Sequence, residues 1–177
     1  MMEHKMIKMI NHETMKKRIF LTGATGTMGW SGLQELLQRL DRFDITVLAR
    51  PSETNKKKLA PYADKIRIVW GDLTHYEDVE LATREVDYVL HVGGMVSPSA
   101  DYFPNKTRKV NTLAAENVAK AVLAQPNADN IKVCYIGSVA QTSDRNEPNH
   151  WDERVTLSAS VYTTNMPSAK RLLKESL

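Results

Sequence analysis

The stretch Thr22-Gly23-Ala24-Thr25-Gly26-Thr27-Met28-Gly29 constrains this chain more than any other. A short apolar run, Arg18-Ile19-Phe20-Leu21, precedes it, and an amphipathic run carrying Leu33, Leu36, Leu37 and Leu40 follows. Strand, glycine turn and helix is the reading that uses all three parts. Gly23 permits a tight turn, Gly26 lets the backbone approach a pyrophosphate closely, and Gly29 lets helix and strand pack together. The start of the helix then directs free N–H groups and a partial positive charge at bound phosphates. A glycine turn that holds no ligand is the competing reading, and the rest of the chain has to discriminate between them.

That remainder alternates. Ile45–Ala49 reads as a second buried strand, and Ile66–Trp70 as a third, followed at its carboxyl end by Gly71-Asp72-Leu73. A short helix is predicted over Glu77–Arg84 and a fourth strand over Val86–Val92. The longest helix is predicted from Asn105 to Gln125, with Val110, Leu113, Ala114, Val118, Ala121 and Val122 at helical spacing. Pro126-Asn127 ends it, and Ile131–Ile136 is the fifth strand, running directly into Gly137-Ser138. Strands alternating with helices predict an α/β fold with a doubly wound parallel sheet. A ligand would lie across the carboxyl ends of strands one and four, where the strand order reverses. At 177 residues and 42% hydrophobic content, one domain with a sizeable core is expected.

A net charge of +3 gives no argument for nucleic acid or a membrane surface as partner, and only the run Lys56-Lys57-Lys58 points toward a nucleic-acid-binding regulator. No apolar stretch approaches the ~18 residues of a membrane span. The single cysteine, Cys134, lies inside an apolar run; it excludes a disulfide framework and suits a reducing cytoplasm. Residues 1–17 hold several Met, Lys and His but no apolar centre, so no signal peptide is expected there. Met15-Lys16-Lys17-Arg18-Ile19 looks like a natural start, which makes residues 1–14 an extension outside the fold. No metal is expected.

The G-x-x-G-x-x-G spacing of the first turn, Gly71-Asp72-Leu73, His91-Val92-Gly93-Gly94, Val110-Asn111 and Glu116-Asn117-Val118 together resemble the extended short-chain dehydrogenase/reductases, the NAD-dependent epimerase/dehydratase family. The resemblance covers residues 15–151 and implies a Rossmann-type NAD(P)-binding domain. It implies cofactor contacts from Gly23, Thr25, Gly26, Thr27, Met28 and Gly29. It places Asp72, beside Leu73, near the adenine amine, a role compatible with the alternative of a helix N-cap. Val92, Gly93 and Gly94 would lie against ribose and phosphates, with Asn111 supporting the active site, although an Asn at mid-helix otherwise tends to face solvent. His91 is expected to be a packed strand residue and is given no chemistry. Where an acidic residue after strand two would accept from an adenosine ribose, Ala49 and Arg50 stand instead; a guanidinium suits a 2′-phosphate, so NADP is expected over NAD. Lys56, Lys57 and Lys58 follow with an arginine-then-lysine spacing similar to that of NADP-dependent relatives, which supports NADP; a solvated basic loop is the competing reading of the lysines. Ser138 is the expected partner of a substrate carbonyl or alcohol, and the family chemistry is hydride transfer on a sugar nucleotide or another small-molecule carbonyl or alcohol. Which substrate is not legible.

The resemblance fails at the family's Tyr-x-x-x-Lys, where tyrosine is the general acid/base and lysine lies on the same helical face. Lys170 is present, but Met166 stands four residues before it and Tyr162 eight. Inserting one G after the Trp151 codon, with permissible synonymous choices, makes positions 166–170 read Tyr-Ala-Val-Ser-Lys. Residues 152–177 are therefore expected to be an out-of-frame tail, with the family's substrate domain absent. The sheet would be incomplete at strand five, and such an uncovered edge invites self-association. Ala169, Leu172, Leu173 and Leu177 in the tail would suit a short helix over that edge. The alternative to an NADP-dependent oxidoreductase or epimerase is thus a catalytically inactive cofactor-binding fragment or a dinucleotide sensor.

Overall fold

The computed structural model describes residues 15–137. The strands are β1 Lys17–Thr22, β2 Phe43–Ala49, β3 Arg67–Trp70, β4 Tyr88–His91 and β5 Lys132–Tyr135. The helices are α1 Thr27–Leu37, α2 Glu53–Leu59, α3 Tyr76–Thr83, the single turn α4 Ser99–Tyr102 and the long α5 Pro104–Leu123. All neighbouring strands pair in parallel, in the order β3-β2-β1-β4-β5. This is the doubly wound arrangement that the alternation predicts, with the reversal of strand order between β1 and β4.

The side chains of β1 alternate between two cores, as a strand buried on both faces requires. Phe20 points into one core with Val69, Val79, Val89 and Val118, under α3 and α5. Ile19 and Leu21 point into the other with Leu33, Leu36 and Val47, under α1 and α2. Along α5 the buried residues Thr107, Asn111, Ala114, Val118 and Ala121 recur at spacings of four and three, the stripe a helix lays on a sheet. The registers Thr22↔Leu48 and Thr22↔His91 bring the ends of β1, β2 and β4 level, so the loops that follow them share one edge.

The lysine run is not a loop but part of α2: Ser52 Oγ accepts from the Asn55 N–H, Glu53 opens the helix, and Lys56, Lys57 and Lys58 close it where the helix dipole favours cations. At the sheet edge β5 is partly open to solvent, with Val133 48% exposed and Cys134 also exposed. Among the described residues β5 pairs with β4 alone, and an edge strand leaves part of its surface to solvent. Ser138, Met166 and Lys170, and the limits expected at residues 1–14 and 152–177, lie outside the described residues. No described helix is long and apolar enough to cross a membrane.

Candidate functional site

The glycine turn is built from its own backbone. Gly23 has φ +70°, a conformation that favours glycine, and the Gly26 N–H donates to the Gly23 carbonyl at 2.9 Å. A Cβ on Gly23 would lie 2.7 Å from Gly93 Cα, so here the ends of β1 and β4 touch backbone to backbone. A Cβ on Gly29 would run into the Gly23 carbonyl. Gly29 therefore packs α1 against the turn itself, rather than against the strand as its spacing predicts. Gly26 differs from both: a Cβ there would meet only Gly23 O, at 3.4 Å, and its outer side is open.

Gly26 is also the N-cap of α1, with no side chain to cap the helix and no acidic residue in the first turn. The N–H groups at the start of α1 therefore receive no acceptor from a capping side chain, beside exposed Gly26, Thr27 and Met28 and half-buried Thr25. Lys58 braces the turn from α2. Its Nζ donates to the Thr25 carbonyl at 2.9 Å and sits 4.2 Å from the centroid of the Trp30 ring. Sequence reasoning missed this tie, because nothing in a lysine run says which ammonium will reach back to a turn.

At the end of β1, Thr22 Oγ1 accepts from the N–H groups of Val92 at 3.1 Å and Gly93 at 2.8 Å, and lies 2.8 Å from His91 Nδ1. With both acceptor positions taken, the one hydroxyl proton goes to Nδ1, which assigns the ring proton of His91 to Nε2. His91 is 4% exposed, and burial pushes its pKa down to about 4, so the ring is neutral near pH 7. It is a packed strand residue, as expected, and it also fixes the hydroxyl that positions Gly93. The sequence signal for Thr22 was a hydroxyl ending a buried strand immediately before the glycine turn.

Arg50 follows β2 and is exposed; its carbonyl accepts from Asn55 Nδ2 at 2.9 Å, which anchors its backbone to α2. Asp72 lies one strand over. Its Oδ1 accepts from the Thr74 N–H at 2.9 Å and the Thr74 hydroxyl at 2.8 Å. The N-cap of α3 is His75, so Asp72 closes the turn before the helix and is not its cap. Burial raises the Asp72 pKa, but the Thr74 hydrogen bonds and the charges of Arg50 and His75 outweigh it and leave the carboxyl below its ordinary value.

Asn111 is 5% exposed despite its mid-helix position. Its Oδ1 accepts from the Met95 N–H at 2.7 Å and its Nδ2 donates to the Met95 carbonyl at 3.0 Å, holding the segment after β4 by both backbone groups. The fold thus brings Gly23, Gly26, Arg50, Asp72, Leu73, Val92 and Gly93 to the carboxyl ends of β1 to β4, with exposed Gly94 following. No group of three or more His, Cys, Asp or Glu side chains is placed to hold a metal among the described residues.

A profile of the NAD dependent epimerase/dehydratase family matches residues 19–176, and so continues past Trp151 through Met166 and Lys170. The UDP-glucose 4-epimerase of Rickettsia bellii (strain OSU 85-389) is 31% identical over 110 residues, 59% of this chain and 32% of that protein. That of Rickettsia akari (strain Hartford) is 30% identical over 112 residues, 60% of this chain and 33% of that protein. The chain spans about a third of the length of these curated relatives. The X-ray structure of Pen from Bacillus thuringiensis superposes with a TM-score of 0.70 at 27% identity, covering 91% of this chain and 45% of that one. The Thermus thermophilus UDP-glucose 4-epimerase, solved as a complex with NAD, shares the fold at TM-score 0.69 and 22% identity, over 89% of this chain and 50% of that one. The profile match covers most of the chain and agrees with the strand order and the glycine turn: the chain belongs to the NAD dependent epimerase/dehydratase family.

Proposed function

We propose that this chain binds a nicotinamide dinucleotide across the carboxyl ends of β1 and β4, and prefers NADP to NAD. The start of α1 carries the reading. A helix N-terminus without a capping side chain, opening beside a glycine whose outer side is empty, suits a pyrophosphate and wastes N–H groups without one. Val92, Gly93 and Gly94 then lie along the cofactor, and Asp72 offers its carboxylate to the adenine amine. Arg50 has no ion pair among the described residues and suits a 2′-phosphate on the adenosine ribose. When bound, the nicotinamide supplies a hydride donor or acceptor. The substrate class is a sugar nucleotide or another carbonyl or alcohol, in keeping with the curated UDP-glucose 4-epimerases. Ser138 would hold its reacting oxygen and Lys170 the nicotinamide ribose. A cytoplasmic setting fits the exposed free thiol of Cys134.

One observation favours cofactor binding without turnover, as an inactive fragment or a dinucleotide sensor. Met166 occupies the position of the family's acid/base tyrosine, and a thioether has no proton to exchange. Residues 152–177 read as an out-of-frame tail on this account, with residues 15–151 as the dinucleotide domain and residues 1–14 outside it.

Titration with NADPH and NADH tests the cofactor assignment. NADPH is expected to bind more tightly by about 1–3 kcal/mol, the scale of a charge-assisted contact, and Arg50→Ala is expected to abolish the difference. Equal affinities, or a preference for NADH that Arg50→Ala leaves alone, would remove the NADP assignment.

A further inference from the structure

We propose that Asn117 is a positioning residue for the adenine end of the dinucleotide site, acting through the Asp72–Leu73 turn; the inference rests on the dinucleotide reading above. Asn117 sits on α5 and is 7% exposed, and its Nδ2 donates to the Leu73 carbonyl at 2.9 Å. No other described group bonds that carbonyl. A buried amide costs free energy unless it is hydrogen-bonded, and α5 otherwise packs here with Ala114, Val118 and Ala121. An apolar residue would serve the packing; the amide serves the carbonyl.

That carbonyl is a sensitive point of the site. Leu73 directly follows Asp72, whose N–H donates to Asp78 Oδ2 at 2.9 Å and whose Oδ1 is held by Thr74. Those ties, with the His75 N–H that donates to the Asp72 carbonyl at 3.0 Å, are local to the turn and α3, whereas Asn117 adds one from α5. The Leu73 side chain also fills the space beside Gly93, where a Cβ would lie 2.7 Å from Leu73 Cδ1. Freeing the Leu73 carbonyl therefore loosens the carboxylate that would face the adenine amine. Asn111, on the same helix, grips Met95 after β4. Helix α5 thus carries one amide clamp for each of two loops that flank the crevice.

The test is isothermal titration of the full chain with ADP, which carries the adenosine and the phosphates without the nicotinamide. Asn117→Asp keeps the shape but turns the donor into an acceptor facing the carbonyl. Asn117→Leu removes the polar group and is read in parallel should the aspartate variant fail to fold. In the folded variant ADP is expected to bind about tenfold more weakly, the scale of one lost buried hydrogen bond. In an Asp72→Ala background the same substitution is expected to change ADP affinity less than about twofold, because the group it positions is gone. Unchanged ADP affinity, or an undiminished loss in the Asp72→Ala background, overturns the proposal, since a merely structural role would lower stability without this coupling. Failure of the wild-type chain to bind either ADP or NADPH overturns the dinucleotide reading and this assignment with it.

Discussion

The glycines of the first turn separate binding from folding, residue by residue. Gly26 has open space on its outer side, whereas a side chain at Gly29 meets the Gly23 carbonyl. Gly26→Val is expected to abolish dinucleotide binding, with thermal stability little changed, because the new methyls would stand where the proposed pyrophosphate lies. Gly29→Val is expected to destabilise the fold by about 3 kcal/mol, as overpacking against backbone that cannot yield. Thermal melts with and without NADPH distinguish the two; dinucleotide affinity unchanged in folded Gly26→Val would make the turn structural only. The spacing of the glycines identified the turn, because glycine is the residue that tolerates φ near +70° and close backbone contact. It did not say which contact each glycine makes: Gly23 meets Gly93 from a distant strand, whereas Gly29 and Gly23 meet within one turn. Thr22 and Asn117 were harder still, since their partners are backbone groups supplied by distant loops.

Among elements, the strand pair β1–β4 carries a pH-dependent link. His91 on β4 has a folded pKa of about 4 against 6.5 unperturbed, because burial disfavours its charged form. As pH falls below 6.5 the unfolded chain takes up the proton first, so stability is full above that value and declines toward pH 4. At about 1.4 kcal/mol per pH unit the loss approaches roughly 3 kcal/mol by pH 4. Urea unfolding at pH 7 and pH 4.5 measures it, with His91→Gln as control: that variant should be less stable at pH 7 and should lose less on acidification. An equal loss in both would assign the acid sensitivity to other groups. The β-strands were legible because a parallel sheet buried on both faces imposes uninterrupted β-branched runs. Helix α2 was not, because its three lysines mask the helical pattern and its signals are local ones, Ser52 at the cap and Glu53 in the first turn.

For the whole molecule, the question is whether a site that holds a dinucleotide also turns over. General acid/base catalysis by a positioned side chain typically contributes ~10²–10⁴-fold to rate, and Met166 has no titratable group to supply it. On the proposed reading Ser138 would hold a carbonyl oxygen and Lys170 the nicotinamide ribose, but a developing alkoxide would take its proton only from water. The curated relatives are about three times as long as the segment matched here, and positioning of a substrate by the remainder of such a chain is the other source of rate. The expected outcome is therefore NADPH binding without measurable reductase or epimerase turnover, and no recovery from Met166→Tyr alone. Restoring the alternative frame after the Trp151 codon, with the sequence that naturally follows it, is expected to bring activity back. Sequencing the DNA decides the premise first: a frame that closes within a few codons, or that lacks Tyr-Ala-Val-Ser-Lys, removes it. Robust turnover by the 177-residue chain, lost on Tyr162→Phe, would instead give the proton to Tyr162 and make the tail part of the enzyme.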